Sequence, residues 1–173
     1  MKKIFVALSL CLIVFTANAQ YENTTIKVGQ KAPDLVFSDP NGKELKLSKL
    51  NKHRIILLDF WASWCGPCRA SSPGLVALYN NYNNKKFKNA KKGFIIVSVS
   101  MDQDKQKWID AIKHDNLTWD YHMSDLGGWQ SKPALIYGVQ YIPQCFLIDA
   151  KGHVLGKYMH AEEAEQELQK MLK

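Results

Sequence analysis

The sequence predicts an α/β domain: a central mixed β-sheet flanked by helices on both faces, with an N-terminal β-hairpin ahead of it. Three observations carry this. Two apolar runs of strand length, 55–60 and 94–100, bracket a segment with apolar residues at helical spacing: Leu75, Val76, Leu78, Tyr79 and Tyr82. Two more strand-like runs, 144–149 and 153–158, are joined by the turn Ala150-Lys151-Gly152 and close the pattern as a hairpin. Helices alternating with strands imply a sheet covered on both faces, because each crossover helix buries its apolar stripe against it.

The elements follow in order. Lys2 and Lys3 precede an almost unbroken apolar run over 4–15, and Ala17-Asn18-Ala19 is a small-x-small site before Gln20. This is the layout of a secretory signal peptide, 1–19, cleaved after Ala19. The alternative is an uncleaved inner-membrane anchor, for which the run is short. Cys11 follows Leu10 in mid-run, where acylation would need a small residue. Residues 20–32 are polar and read as a flexible N-terminus, leaving one domain over 33–173.

In that domain, Leu35-Val36-Phe37 and Glu44-Leu45-Lys46-Leu47 flank the turn Asp39-Pro40-Asn41-Gly42, a hairpin signature. A short helical turn or loop at 48–51 leads into the strand at 55–60 and the helix at 66–82. After the strand at 94–100, Asp102 or Asp104 can cap a helix carrying Trp108, Ile109 and Ile112. Residues 117–123 are irregular or a short strand. The next helix starts near Ser131 with Pro133 in its first turn and stops at Gly138. A terminal helix spans 161–173.

Loss of Lys2 and Lys3 with the leader takes the formal net charge from +7 to +5. Much of the excess is local: Lys85, Lys86, Lys88, Lys91 and Lys92 crowd an asparagine-rich loop. That pattern reads as a solvated loop, and no nucleic-acid partner is expected. Cys65, Cys68 and Cys145 remain after the leader. The short spacing of the first two closes too small a loop to constrain an unfolded chain much, so the pair reads as chemistry rather than as a staple.

The pair stands in Trp64-Cys65-Gly66-Pro67-Cys68, between a strand and a helix, which is the context of a redox C-x-x-C. Cys65 falls at the helix N-terminus, where unpaired N–H groups and the helix dipole favour a thiolate, so it is the expected nucleophile. Cys68, one turn on and expected to be more buried, resolves the mixed disulfide. A zinc site is the competing use of C-x-x-C, but no second such pair or paired histidine completes four ligands, and no metal is expected.

The run Asp59-Phe60-Trp61-Ala62-Ser63-Trp64-Cys65-Gly66-Pro67-Cys68 resembles the active-site segment of the thioredoxin superfamily. With Ala32-Pro33-Asp34 and Tyr137-Gly138-Val139-Gln140-Tyr141-Ile142-Pro143, the chain is similar to the TlpA/ResA-like branch of exported thiol–disulfide oxidoreductases. The hairpin is shared with peroxiredoxins of the AhpC/TSA–redoxin type. The resemblance implies a thioredoxin fold, a cis peptide bond before Pro143, and substrate contacts from Trp64, Gly66, Pro67, Ile142 and Pro143. It implies that Asp59 is a buried acid exchanging a proton with Cys68, and that Pro73 kinks the helix. Cys145 stands where the family usually has threonine.

The expected activity is reduction of disulfides in client proteins of the bacterial envelope. A membrane thiol reductant would reset the pair, which needs no cofactor beyond its own disulfide. The Gly-Pro dipeptide suggests a potential near about −270 mV rather than about −120 mV. Apocytochromes c or envelope enzymes are the implied clients, and the periplasm the implied compartment. Alternatives are a disulfide oxidant or isomerase, a thiol peroxidase, and a binding module without turnover. The peroxidase would want Thr or Ser where Ala62 stands.

Overall fold

A computed structural model describes residues 22–173. The expected leader and its cleavage site lie outside the described residues. The chain runs through β1 (Val36–Ser38), β2 (Glu44–Lys46), α1 (Leu47–Asn51), β3 (Ile55–Trp61), α2 (Gly66–Tyr82), β4 (Phe94–Ser100), α3 (Lys105–His114), β5 (His122–Met123), α4 (Lys132–Tyr137), β6 (Gln144–Ile148), β7 (Val154–Tyr158) and α5 (Glu165–Lys170).

β1 and β2 form the separate two-stranded hairpin, and the other strands make a five-stranded sheet in the order β5-β4-β3-β6-β7. β3–β4 and β4–β5 are parallel, while β6 and β7 return antiparallel. The sheet is therefore mixed, and β3 lies at its centre. Every residue of β3 is buried, as a strand covered on both faces requires.

Side-chain alternation divides the sheet into two faces. Phe60 and Phe146 point to the face where α4 packs, with their rings 5.5 and 5.1 Å from that of Tyr137. Asp59 and Cys145, paired in register, point to the opposite face, toward α2. There Tyr82 of α2 donates to Glu165 of α5, and Arg69 of α2 pairs with Asp115 at the end of α3.

Two expectations change, and a third gains a detail. The polar segment read as flexible is tied down from Asn23 onward. Asn23 Nδ2 donates to the Tyr137 carbonyl (2.9 Å) and Gln144 Oε1 (3.1 Å), Ile26 is buried, and Val154 N–H donates to the Gln30 carbonyl. One buried amide and one apolar side chain were too sparse a pattern to read as packing. The terminal helix is shorter than expected. Residues Ala161–Ala164 form a 3-10 turn, α5 stops at Lys170, and Lys173 N–H donates to the Lys86 carbonyl. The lysine-rich loop is solvated at its charges but anchored by Phe87, which is fully buried and bridges to Leu172.

Candidate active site

β3 delivers the chain to the start of α2. Met101 N–H donates to the Trp61 carbonyl, holding the end of β3 to the residue after β4, and Cys65 N–H closes a turn onto the Ala62 carbonyl (3.1 Å). Cys65 is the N-cap of α2, in extended conformation, and Pro67 follows in the first turn, where its fixed φ suits a helix start and its missing N–H leaves nothing unpaired. Cys65 and Cys68 are joined in a disulfide, with their Cα atoms 5.3 Å apart. Cys65 Sγ also accepts a hydrogen bond from Cys68 N–H at 3.1 Å. Both cysteines are 5% exposed, so Cys68 is no deeper than Cys65 in this oxidised state. Gly66 and Pro67 are exposed beside them. Pro73 lies within α2 without ending it.

Two carboxylates fix the loop ahead of Cys65. Asp102, fully buried after β4, accepts from Ser63 N–H (3.0 Å), from the Ser63 hydroxyl and from the Ser100 hydroxyl (2.7 Å). It therefore locks the loop and does not cap α3. The cap is Asp104, which accepts from Gln106 and Lys107 N–H. Arg69, one turn into α2, donates to the Ser63 carbonyl (3.0 Å) and forks onto Asp115. Burial raises the Asp115 pKa, but the hydrogen bonds from Arg69, His114 and Ser72 outweigh it and leave the carboxyl below its ordinary value.

Behind the disulfide lies Asp59, 5% exposed. Burial in low dielectric pushes its pKa up to about 6, against the lowering effect of hydrogen bonds from Cys145 and Ser98. The Cys145 thiol is 3.5 Å from Oδ1 and the Ser98 hydroxyl 3.2 Å from Oδ2. Trp119 Nε1 donates in turn to Ser98 Oγ (3.1 Å). Asp59, Cys68, Ser72, Cys145 and Pro143 line one cavity of about 10 Å³, the room of about one water molecule. The Ile142–Pro143 bond is cis, and the Ile142 carbonyl oxygen is 3.8 Å from Cys65 Sγ.

The structure thus brings Cys65, Cys68, Ile142 and Pro143 together at the bridge, with Asp59 behind it in the cavity that Cys68 also lines. Trp61 is buried in the core, whereas Trp64 is half exposed and lies against Trp129, ring centroids 5.9 Å apart. Sequence reasoning missed Asp102, Arg69, Asp115 and Ser98 as site neighbours; it read Trp108, Trp119 and Trp129 as core filling, with substrate contact as the use of an exposed one, and of the three Trp129 is the exposed one. The segment Gly127-Gly128-Trp129 carried one usable signal, an aromatic residue set in a turn.

A family profile described as Redoxin matches residues 27–172. The thiol-disulfide oxidoreductase ResA of Geobacillus thermodenitrificans is 30% identical over 156 residues, covering 89% of this chain and 83% of that protein. ResA of Bacillus thuringiensis is 29% identical over 174 residues, covering 99% of this chain and 93% of its relative. The solved structure of a thiol-disulfide oxidoreductase from Bacteroides fragilis superposes with a TM-score of 0.72 at 30% identity, covering 82% of this chain and 98% of that one. Matches to the profile, to these relatives and to this solved structure, each over four-fifths of the chain or more, leave one assignment: the chain belongs to the Redoxin family, in its thioredoxin-fold, ResA-like branch.

Proposed function

We propose that the protein is a thiol–disulfide oxidoreductase that reduces disulfides of client proteins in the bacterial envelope. The observation that carries this is the Cys65–Cys68 pair at the start of α2, with Cys68 N–H directed at Cys65 Sγ. A helix N-terminus and a donor at 3.1 Å favour a sulfur anion at Cys65.

In the reduced protein, the Cys65 thiolate attacks one sulfur of a client disulfide. A mixed disulfide forms and the first client sulfur leaves as thiolate. Cys68, giving its proton to Asp59, attacks the Cys65 sulfur of the mixed disulfide and expels the second client sulfur. Two electrons pass to the client and the Cys65–Cys68 bridge returns. Ile142, next to the cis-proline, would hold the client chain extended, with Trp64, Gly66 and Pro67 as contact surface. A membrane thiol reductant would resupply the electrons, and the pair itself serves in place of a cofactor.

Export to the periplasm is proposed from the leader-like residues 1–19. Apocytochromes c are the proposed clients, from the family resemblance. Trapping tests the roles: Cys68→Ser should accumulate mixed disulfides through Cys65, and Cys65→Ser should accumulate few. Equal trapping by both would overturn the assignment. The direction is tested by equilibrating the pair against a thiol buffer. A potential near about −270 mV fits a reductant, and one near about −120 mV would make the protein an oxidant instead.

A further inference from the structure

We propose that Trp129 is a specificity-determining residue for thiol–disulfide exchange at Cys65, selecting polypeptide disulfides whose cysteine is flanked by an apolar side chain. The proposal rests on the exchange activity proposed above and adds what the site prefers. Its starting point is an exposed aromatic pair. Trp64, adjacent to Cys65, is 51% exposed, and Trp129, contributed by a 3-10 turn between β5 and α4, is 48% exposed. Their rings meet at 51° with centroids 5.9 Å apart. A pair formed for core packing would be dry, as Trp108 and Trp119 are. This pair leaves both residues about half exposed, next to the redox centre.

The turn that carries Trp129 is pinned by hydrogen bonds to its backbone. Asp125 accepts from Gly127 N–H (3.1 Å) and from Lys132 N–H (2.7 Å), and so clamps the turn at both ends. Leu126 has φ +56°, a left-handed conformation uncommon for a non-glycine residue. A Cβ on Gly127 would come 2.8 Å from Ser131 Cα, and one on Gly128 2.9 Å from Gln103 Cγ. The backbone is thus strained and tightly fitted while the side chain it presents faces solvent, the pattern expected where strain serves a site.

The occupant follows from the reaction. A client sulfur must reach Cys65, which is itself nearly buried, so residues beside the client cysteine come to rest on what surrounds it. On the Trp64 side that surface is the exposed aromatic pair, and beyond Trp64 lies a separate open groove of about 370 Å³ that Trp129 does not line, with polar walls from Ser63, Arg69, Lys107, Asp110 and His114 beside Ala111. Aromatic faces gain most from apolar or aromatic side chains. A small disulfide such as hydroxyethyl disulfide has no flanking residue and passes the pair by.

The test compares second-order rates of the reduced protein with three disulfides: a peptide whose cysteine is flanked by leucine and phenylalanine, the same peptide with aspartate and glycine there, and hydroxyethyl disulfide. Trp129→Ala should slow the apolar peptide about tenfold, equivalent to about 1.4 kcal/mol. It should leave the other two rates and the reduction potential unchanged. Trp129→Phe should restore most of the preference. Equal slowing on all three substrates, or none on any, would overturn the proposal. A wild-type protein that reacts with all three but does not favour the apolar peptide would sink the specificity alone. One inert to all three would overturn the exchange activity and the specificity with it.

Discussion

Asp59 has two protein partners that act on its proton affinity in the same direction. The Cys145 thiol and the Ser98 hydroxyl both donate to the carboxylate and so oppose the burial that raises it to about 6. Cys145 is itself fully buried, and burial, then the neighbouring Asp59 charge, pushes its thiol well up. A buried sulfur held as a neutral thiol is a hydrogen-bond donor and a poor nucleophile. Cys145→Ala removes one of the two donors, so the Asp59 titration should move upward from about 6, read by the carboxyl carbon-13 shift against pH. In the native reduced protein, an alkylating agent at pH 8 should label Cys65 and spare Cys145 until the chain is unfolded. A titration that stays in place, or ready alkylation of Cys145, would refute this view of the residue.

At the scale of elements, two aspartates two residues apart do different work. Asp104 caps α3 through two backbone N–H groups on an exposed surface. Asp102 ties β4 to the loop that carries Trp64 and Cys65. Asp104→Ala should lower stability by about 1 kcal/mol and leave exchange rates unchanged. Asp102→Ala strips the acceptor from one part-buried N–H and two serine hydroxyls, one of them fully buried, and should lower stability by about 3 kcal/mol. It should also slow exchange, because the loop before Cys65 loses its anchor. Urea denaturation and the rate with hydroxyethyl disulfide measure both effects, and matching effects from the two variants would contradict the division of roles. The sequence offered either residue as the cap of α3. Capping depends on which aspartate immediately precedes the first helical turn, and a strand end shifted by a residue or two was enough to leave both open.

For the whole molecule, what could be read in advance was what local pattern determines. Apolar runs located β3, β4 and β6, and the strand–CGPC–helix order located the redox pair. The neighbours of Asp59 were not readable, because Ser98 and Cys145 meet it only through the registers of β3 with β4 and with β6. His122, at the start of β5, was likewise a scattered histidine in the sequence. It is buried, its Nε2 lies 2.8 Å from the Trp119 carbonyl, and burial lowers its pKa from 6.5 to about 4. Together Asp59 and His122 shape how stability depends on pH. The folded state holds the Asp59 proton more tightly than the unfolded state does, so its stabilisation is complete below about 3.8 and is lost as pH rises through about 6. The folded state holds a His122 proton less tightly, so stability is complete above about 6.5 and is lost as pH falls toward about 4. Each shift corresponds to roughly 3 kcal/mol, and the slopes oppose each other across nearly the same window. Asp34 and Asp115, both below their ordinary value, act at more acid pH. The oxidised wild-type protein should therefore show nearly constant stability between pH 4 and 6 from these two groups. Asp59→Asn removes one slope. Its stability should climb by about 3 kcal/mol from pH 4 to 6.5 and exceed wild type at pH 7 by a similar amount. Urea midpoints at pH 4, 5, 6 and 7 decide it: parallel curves for the two proteins would mean that Asp59 does not carry a raised pKa in the folded state.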